Sequence, residues 1–291
     1  MKICHVIHLE ETVSTNTFLA TYTPASPTEI TIVTTDYQSA GRGQATNRWE
    51  SERGKNLLFS ILVTPGNLPA THLFALSEAI ALSIHEAIAE VRTSSVQAPT
   101  YADEKWRGTV KWPNDIYVGD SKISGILIEN SLRGQYVNRS IIGCGVNINQ
   151  TDFLFPSLIP IPSALQSAQR GAPHLDNPQP LASPQLPTPV SLRQLVGHDV
   201  DRQQVLDSIV DRFLHRYRTI HDGQPDTLAA LHAEYLVALY RRQGFHAYTD
   251  AQGYFNAEIA DVEPTGHLIL RDTSGQLRRY AFKEVAYCHE A

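Results

Sequence analysis

The sequence predicts an α+β fold: a mixed, mostly antiparallel sheet flanked by helices, with a small β-barrel behind it. Three observations carry that expectation. Between residues 29 and 149, runs rich in β-branched and aromatic residues alternate with turn residues, as strands do. Two long segments, 71–91 and 201–220, instead repeat apolar residues every third or fourth position, the period of an amphipathic helix. After Gly244 the runs shorten and are punctuated by turns such as "PTG" and "TSG", the spacing of a compact barrel.

Taken in order, residues 29–38 and 56–64 read as two strands joined by a glycine-rich loop. Leu73, Leu76, Ile80, Ile84, Ile88 and Val91 mark one face of a helix. "SSVQAPTYADEKWRGT" interrupts with loop chemistry, and "VKWPND" is a short strand ending in a turn at Pro113, Asn114 and Asp115. "SKISGILIEN" and "RSIIGCGVNIN" are further strands, with polar "SLRGQY" as the hairpin between them, so the expected core is a sheet with helices on one face. From about 155 to 190 proline recurs so often that a long surface loop is expected. Ser191 precedes a short helix, Leu206, Ile209, Phe213, Leu214 and Tyr217 define the next, and Asp226 is the expected N-cap of a third. "AEIADVE", "HLILRD" and "RRYAFKEVAYC" supply the barrel strands. The expected division is a catalytic unit over 1–240 and a small barrel over 244–291.

Composition narrows the function classes. At 42% hydrophobic and 19% charged, the 291 residues suit a soluble globular protein. A formal charge of -6 gives no global field toward nucleic acid or an anionic membrane. The N-terminus becomes polar too soon for a signal peptide, and no apolar run is long enough to span a bilayer. A cytoplasmic location with neither nucleic acid nor membrane as partner is expected. Cys4, Cys144 and Cys288 are odd in number and form no CxxC, which suits reduced thiols, each expected to be a small buried hydrophobe.

The chemistry begins at "YQSAGRGQATNRW", where Gly41, Arg42 and Gly43 follow a strand. The spacing is neither a Walker loop nor GxGxxG, so alone it reads as a tight connection. Two more elements change the balance. "KWPNDIYVGDSKISGILIE" places Lys111 and Lys122 near strand ends and Gly125 inside an apolar strand, and "GCGVNIN" adds Gly143, Gly145 and Asn147 in another. Glycine inside a strand marks close approach of a ligand or another backbone, so a site over the sheet is expected.

With "STN" at 14–16, "YQSAGRGQ" at 37–44, Trp49, "KWPND" at 111–115, "KISGILIE" at 122–129 and "GCGVNIN" at 143–149, the chain resembles the biotin protein ligases. The likeness is strong over roughly residues 8–150 and weak beyond 244. It implies a class II synthetase-like catalytic domain and an SH3-like C-terminal barrel. The implied reaction joins biotin to ATP, giving biotinyl-5'-AMP, and passes biotin to a lysine of a biotin carboxyl carrier domain. Lys122 takes the family's catalytic position, and Arg42 with Gly41 and Gly43 would wrap the intermediate in a loop that orders on ligand arrival. Ser14, Thr15, Asn16, Gln38, Gly125 and Leu127 match the biotin end. Gln44, Trp49, Lys111, Asn114 and Asn147 match the ATP and adenylate end, and Asp115 would help hold Mg²⁺.

Plainer readings stand beside these roles: a solvated edge lysine for Lys122, core packing for Trp49, a helix N-cap for "STN" and a turn for Asp115. The family often carries a second arginine where this chain has Gln44 and a glycine further on, where Ala45 and Thr46 follow; glutamine brings no charge to a phosphate, so Gln44→Arg should slow release of the adenylate. The insertion at 93–109 has no functional account. Some relatives carry an N-terminal helix-turn-helix, which a match opening at residue 14 is expected to leave no room for. An exposed sheet edge would allow a homodimer. A lipoate or octanoyl transferase, and a non-catalytic biotin-binding protein, remain alternatives at this point.

Overall fold

In the computed structural model, which describes residues 4–26, 28–44, 47–94, 108–153 and 188–288, the apolar runs assemble two sheets. The larger is built from β1 (Cys4–Leu9), β2 (Ile30–Thr35), β3 (Leu57–Val63), β4 (Gly108–Lys111), β5 (Asp115–Val118), β6 (Ser121–Arg133) and β7 (Tyr136–Val146). Its order is β1-β2-β3-β7-β6-β5-β4, with β1 and β2 parallel and every other neighbouring pair antiparallel. The smaller sheet joins β8 (His246–Asp250), β9 (Gly253–Val262), β10 (Leu268–Asp272), β11 (Leu277–Tyr280) and β12 (Ala286–Tyr287), all antiparallel, in the order β11-β10-β9-β8-β12. This is the mixed, mostly antiparallel sheet and the β-rich C-terminal unit that the sequence predicts.

β3 is buried at every position because both its faces are covered. Leu57, Phe59, Ile61 and Val63 join the core that includes α2 (Ala75–Ser94), α4 (Arg202–Ile220) and α5 (Pro225–Ala238). Leu62 turns the other way and packs with Val33, Ile141 and Leu19 of α1 (Thr15–Thr21). Helices therefore lie on both faces, not one. α1 escaped the periodic signal because its 7 residues carry too few apolar positions to show a 3.6-residue repeat.

Other boundaries moved for identifiable reasons. β6 and β7 run almost through "SLRGQY", leaving Gly134, at φ 61, and Gln135 to turn the hairpin. The outer end of β6, residues 130–133, is exposed on both faces and so looks polar like a loop. Asp226 sits in the first turn of α5; Gln224 is the N-cap, and Pro225 opens the helix where its missing N–H has no partner to lose. "RRYAFKEVAYC" divides into β11 and β12, and β8, "HAYTD", was too short to signal itself. Ser191 does cap a short helix, α3 (Leu192–Val196), through a reciprocal capping box with Gln194. Among the described residues no helix is long and apolar enough to cross a membrane. Most of the proline-rich stretch, most of the 93–109 insertion, and Ala45 with Thr46 lie outside the described residues.

Candidate functional site

Strand register gathers the glycines. Residues directly opposite in antiparallel strands share a face. The pairings Lys111 with Asp115, Asp115 with Gly125, Gly125 with Gly145, and Gly145 with Leu58 therefore form one row across β4, β5, β6, β7 and β3. Leu127, Gly143 and Ser60 form the next. Ser60 has the same parity on β3 as Leu62, so both rows face α1.

The glycines make room for side chains. A Cβ on Gly143 would overlap the Asn16 amide, and one on Gly145 would overlap the Trp49 indole. On Gly125 it would meet Trp49 Cζ3 at 3.0 Å and Lys122 Nζ at 3.2 Å. A cavity of about 390 Å³ opens over this floor.

Lys122 reaches the cavity because of an irregularity. Strict alternation along β6 would put Lys122 on the face opposite Gly125. The β5–β6 register shifts between Ile116 and Tyr117, so Tyr117 pairs with Lys122 while Ile116 pairs with Ser124. The extra residue turns Lys122 to the Gly125 side, the usual consequence of a bulge. Its ammonium lies 2.7 Å from Asp115 Oδ1 and 5.8 Å from the Trp49 ring centroid. The main chain of Lys122 is gripped as well: its N–H donates to Thr188 O at 2.8 Å and its carbonyl accepts from Val190 N at 2.9 Å.

A polar chain runs along the other side. Thr15 N–H donates to Gln38 Oε1 at 2.9 Å, and the Ser60 hydroxyl lies 2.6 Å from both Thr15 Oγ1 and Asn16 Oδ1. Asn16 Nδ2 donates to Glu129 Oε2 at 2.8 Å, and Glu129 receives the Arg42 guanidinium in a two-pronged contact at 2.8 and 3.3 Å. The glycine loop thus closes onto β6 through a single carboxylate. Gly43 N donates to Asn47 O and Trp49 N to Gly41 O, which folds the loop back and carries the indole over the floor.

Among the described residues cations dominate the lining: Arg42, Arg48, Lys111, Lys122 and Lys283 against the carboxylate of Asp115. Lys111 donates to the Tyr117 hydroxyl at 3.0 Å and lies over the Tyr117 and Tyr287 rings at 4.6 and 5.0 Å. Burial, helped by nearby Lys122 and Arg241, pulls its pKa down against the opposing pull of Asp115 and Asp120. Trp49 Nε1, Tyr287 OH and Gln44 Oε1 are buried without hydrogen-bond partners among the described residues, so the cavity holds polar atoms that a ligand could satisfy.

Most residues expected from the sequence meet here: Ser14, Thr15, Asn16, Gln38, Arg42, Gly43, Gln44, Trp49, Lys111, Asn114, Asp115, Lys122, Gly125 and Leu127 all line the cavity. Two stand back. Gly41 lies behind the loop against the Trp49 backbone, and Asn147, 4% exposed, donates its amide to Val190 O at 3.1 Å. Asn114 lines the wall, but its amide is engaged with Ile126 O at 2.7 Å. Ser14 begins α1 without a side-chain cap bond. Asp115 belongs to β5 rather than to a turn, and Lys122 occupies its carboxylate. Among the described residues there is no group of three His, Cys, Asp or Glu placed to hold a metal ion.

Sequence reasoning gave no role to Ser60, Glu129, Phe282, Lys283 or Tyr287. Glu129 was within reach, since it follows Leu127 by two residues on the same strand. The last three come from the C-terminal unit, and nothing local says that its turn overhangs the cavity.

Residues 9–147 match the model of the biotin/lipoate A/B protein ligase family. The bifunctional ligase/repressor BirA of Bacillus subtilis is 27% identical over 253 residues, covering 87% of this chain and 65% of that protein. A biotin--[acetyl-CoA-carboxylase] ligase of Paracoccus denitrificans is 29% identical over 178 residues, 60% of this chain and 58% of its own. The chain thus spans under two thirds of the length of both. The biotin protein ligase of Aquifex aeolicus in complex with biotin and ATP superposes with a TM-score of 0.66 at 20% identity, covering 97% of each chain. The Leishmania major biotin protein ligase with biotinyl-5-AMP gives 0.54 at 19% identity, covering 96% of this chain and 98% of its own. At such identities the structures establish the fold.

Proposed function

From the match of residues 9–147 to the biotin/lipoate A/B protein ligase family model, we propose that the protein is an ATP-dependent biotin ligase acting on a biotin carboxyl carrier domain. The activity named for the Paracoccus relative and the ligands held by the similar structures support this reading. The observation that carries it is the bulge-directed Lys122, which faces the Arg42 loop across one glycine-floored cavity.

In the first step an oxygen of the biotin carboxylate attacks the α-phosphorus, the bond to the bridging oxygen breaks and pyrophosphate leaves. Two anions must approach, and charge spreads over the equatorial oxygens. Lys122 exchanges its contact with Asp115 for both ligands, and Arg42 exchanges Glu129 for the phosphate. Thr15, Asn16, Gln38 and Ser60 form a polar end suited to a ureido ring, while Gly125 and Leu127 border the apolar chain. Trp49 and Asn114 wall the adenosine. In the second step the carrier lysine's amine attacks the acyl carbon and AMP departs. Mg²⁺ would supply counter-charge to the nucleotide's phosphates, and Asp115, whose carboxylate lines the cavity, would help hold it.

Biotin-dependent exchange of labelled pyrophosphate into ATP tests the reading. Wild-type protein should catalyse it, and Lys122→Ala should lower the rate by roughly two orders of magnitude or more while remaining folded. Exchange driven by lipoate instead of biotin, or no exchange at all, would overturn the assignment.

A further inference from the structure

We propose that Lys283, with Arg48, binds the β- and γ-phosphates of the nucleotide and the pyrophosphate that leaves, so that the C-terminal unit supplies the positive charge which Gln44 does not. The inference rests on the proposed ligase reaction and assigns this chain's own residues to its leaving group.

Among the five cations lining the cavity, three are already engaged. Arg42 pairs with Glu129, Lys122 with Asp115, and Lys111 donates to Tyr117 OH between two aromatic rings. Lys283 has no carboxylate partner among the described residues; its contact is the Phe282 ring, 5.7 Å from Nζ. Arg48, exposed and bridged through its backbone to Arg42, is likewise without one among the described residues. Both line the cavity, one from the loop and one from the opposite unit. A pair of unspent cations at the rim suits a multiply charged, solvated anion better than a buried ring.

The turn that carries Lys283 is built to present it. Its backbone sits at φ 70, a left-handed conformation that a lysine adopts at a cost. Glu284, the neighbouring acid that could have neutralised it, instead accepts from Ala281 N at 2.7 Å and closes the turn, while Val285 anchors it in the core at 8% exposure. On the loop side Gln44 is uncharged, and its Oε1 is buried without a partner among the described residues.

Lys283→Gly separates binding from structure, because glycine relaxes the left-handed backbone while removing the charge. In the exchange assay the KM values for ATP and for pyrophosphate should each rise about tenfold. The biotin KM should stay within about twofold, and the melting temperature should not fall. Lys283→Arg should remain within about threefold of wild type. Adding Gln44→Arg to Lys283→Gly should recover part of the loss. Unchanged KM values in Lys283→Gly, an equal rise for biotin, or Lys283→Arg as impaired as the glycine variant would each overturn the proposal. Should wild type show no biotin-dependent exchange, the ligase reading fails separately; calorimetric titration of inorganic tripolyphosphate into wild type and Lys283→Gly still decides, equal affinities counting against Lys283.

Discussion

The Trp49 indole rests on Gly145 and Gly125, and its Nε1 is buried with no partner among the described residues. Glycine is needed at 145 because β7 lies between β3 and β6, bonded on both sides, and cannot withdraw to admit a methyl group. Gly145→Ala should therefore displace the indole at an overpacking cost of about 1–3 kcal/mol. With Trp49 as the nucleotide's wall, the KM for ATP should rise roughly tenfold while biotin is less affected, and tryptophan emission should shift. An unchanged ATP KM would show that the ring is only packing. The sequence showed that something approaches the strand glycines closely, but not what. A residue that omits its Cβ leaves the same mark whether an indole, an amide or a ligand fills the space, and here Trp49 and Asn16 already do so.

At the scale of elements, Lys122 owes its direction to two neighbours of β6. The bulge against β5 turns the side chain inward, and Thr188–Val190 bonds the main chain on its far edge. Val190 is held in turn by the Asn147 amide and runs directly into the capped helix α3. Val190→Pro removes the N–H that Lys122 O accepts and should cost about 1 kcal/mol of stability. A mispositioned ammonium should lower kcat for exchange about tenfold with KM values little changed; a pure KM effect would point elsewhere. The elements were legible to different degrees. β3 and α2 announce themselves through long apolar runs, and the motif "KISGILIE" located Lys122. The bulge left no signal, because register is a property of two strands and alternation is read from one. The docking of Thr188–Val190 closes a 66-residue separation from Lys122, beyond the reach of any local pattern.

The whole molecule depends on holding the C-terminal sheet over the seven-stranded one, since Phe282, Lys283 and Tyr287 complete the cavity. The two-sheet plan was readable from the change in strand spacing after Gly244, but its docking was not, because the shared core and the polar contacts that make it join residues far apart in sequence. Trp112 Nε1 donates to Gly266 O at 2.9 Å, and Arg242 donates to Ile259 O at 2.6 Å. His232 of α5 sits between Glu78 of α2, at 2.7 Å, and Asp261 of β9, at 3.0 Å. Hydrogen bonding to Glu78, opposed by burial and reinforced by Asp261, raises the imidazole pKa to about 9. An unfolded histidine titrates near 6.5. The folded state therefore holds this proton more tightly. The stability it contributes is complete below about pH 6.5 and disappears as pH climbs through about 9. Thiols raised by burial, such as Cys144 and Cys288, also favour the folded state less at high pH. The contribution of His232 is consequently the difference between wild type and His232→Gln, which keeps a donor but cannot carry charge. Thermal melts across pH 6 to 10 should show that difference shrinking as alkalinity rises. A difference that stayed constant would mean that His232 joins the two sheets as a neutral hydrogen-bonding group, and a growing one would reverse the sign of the linkage.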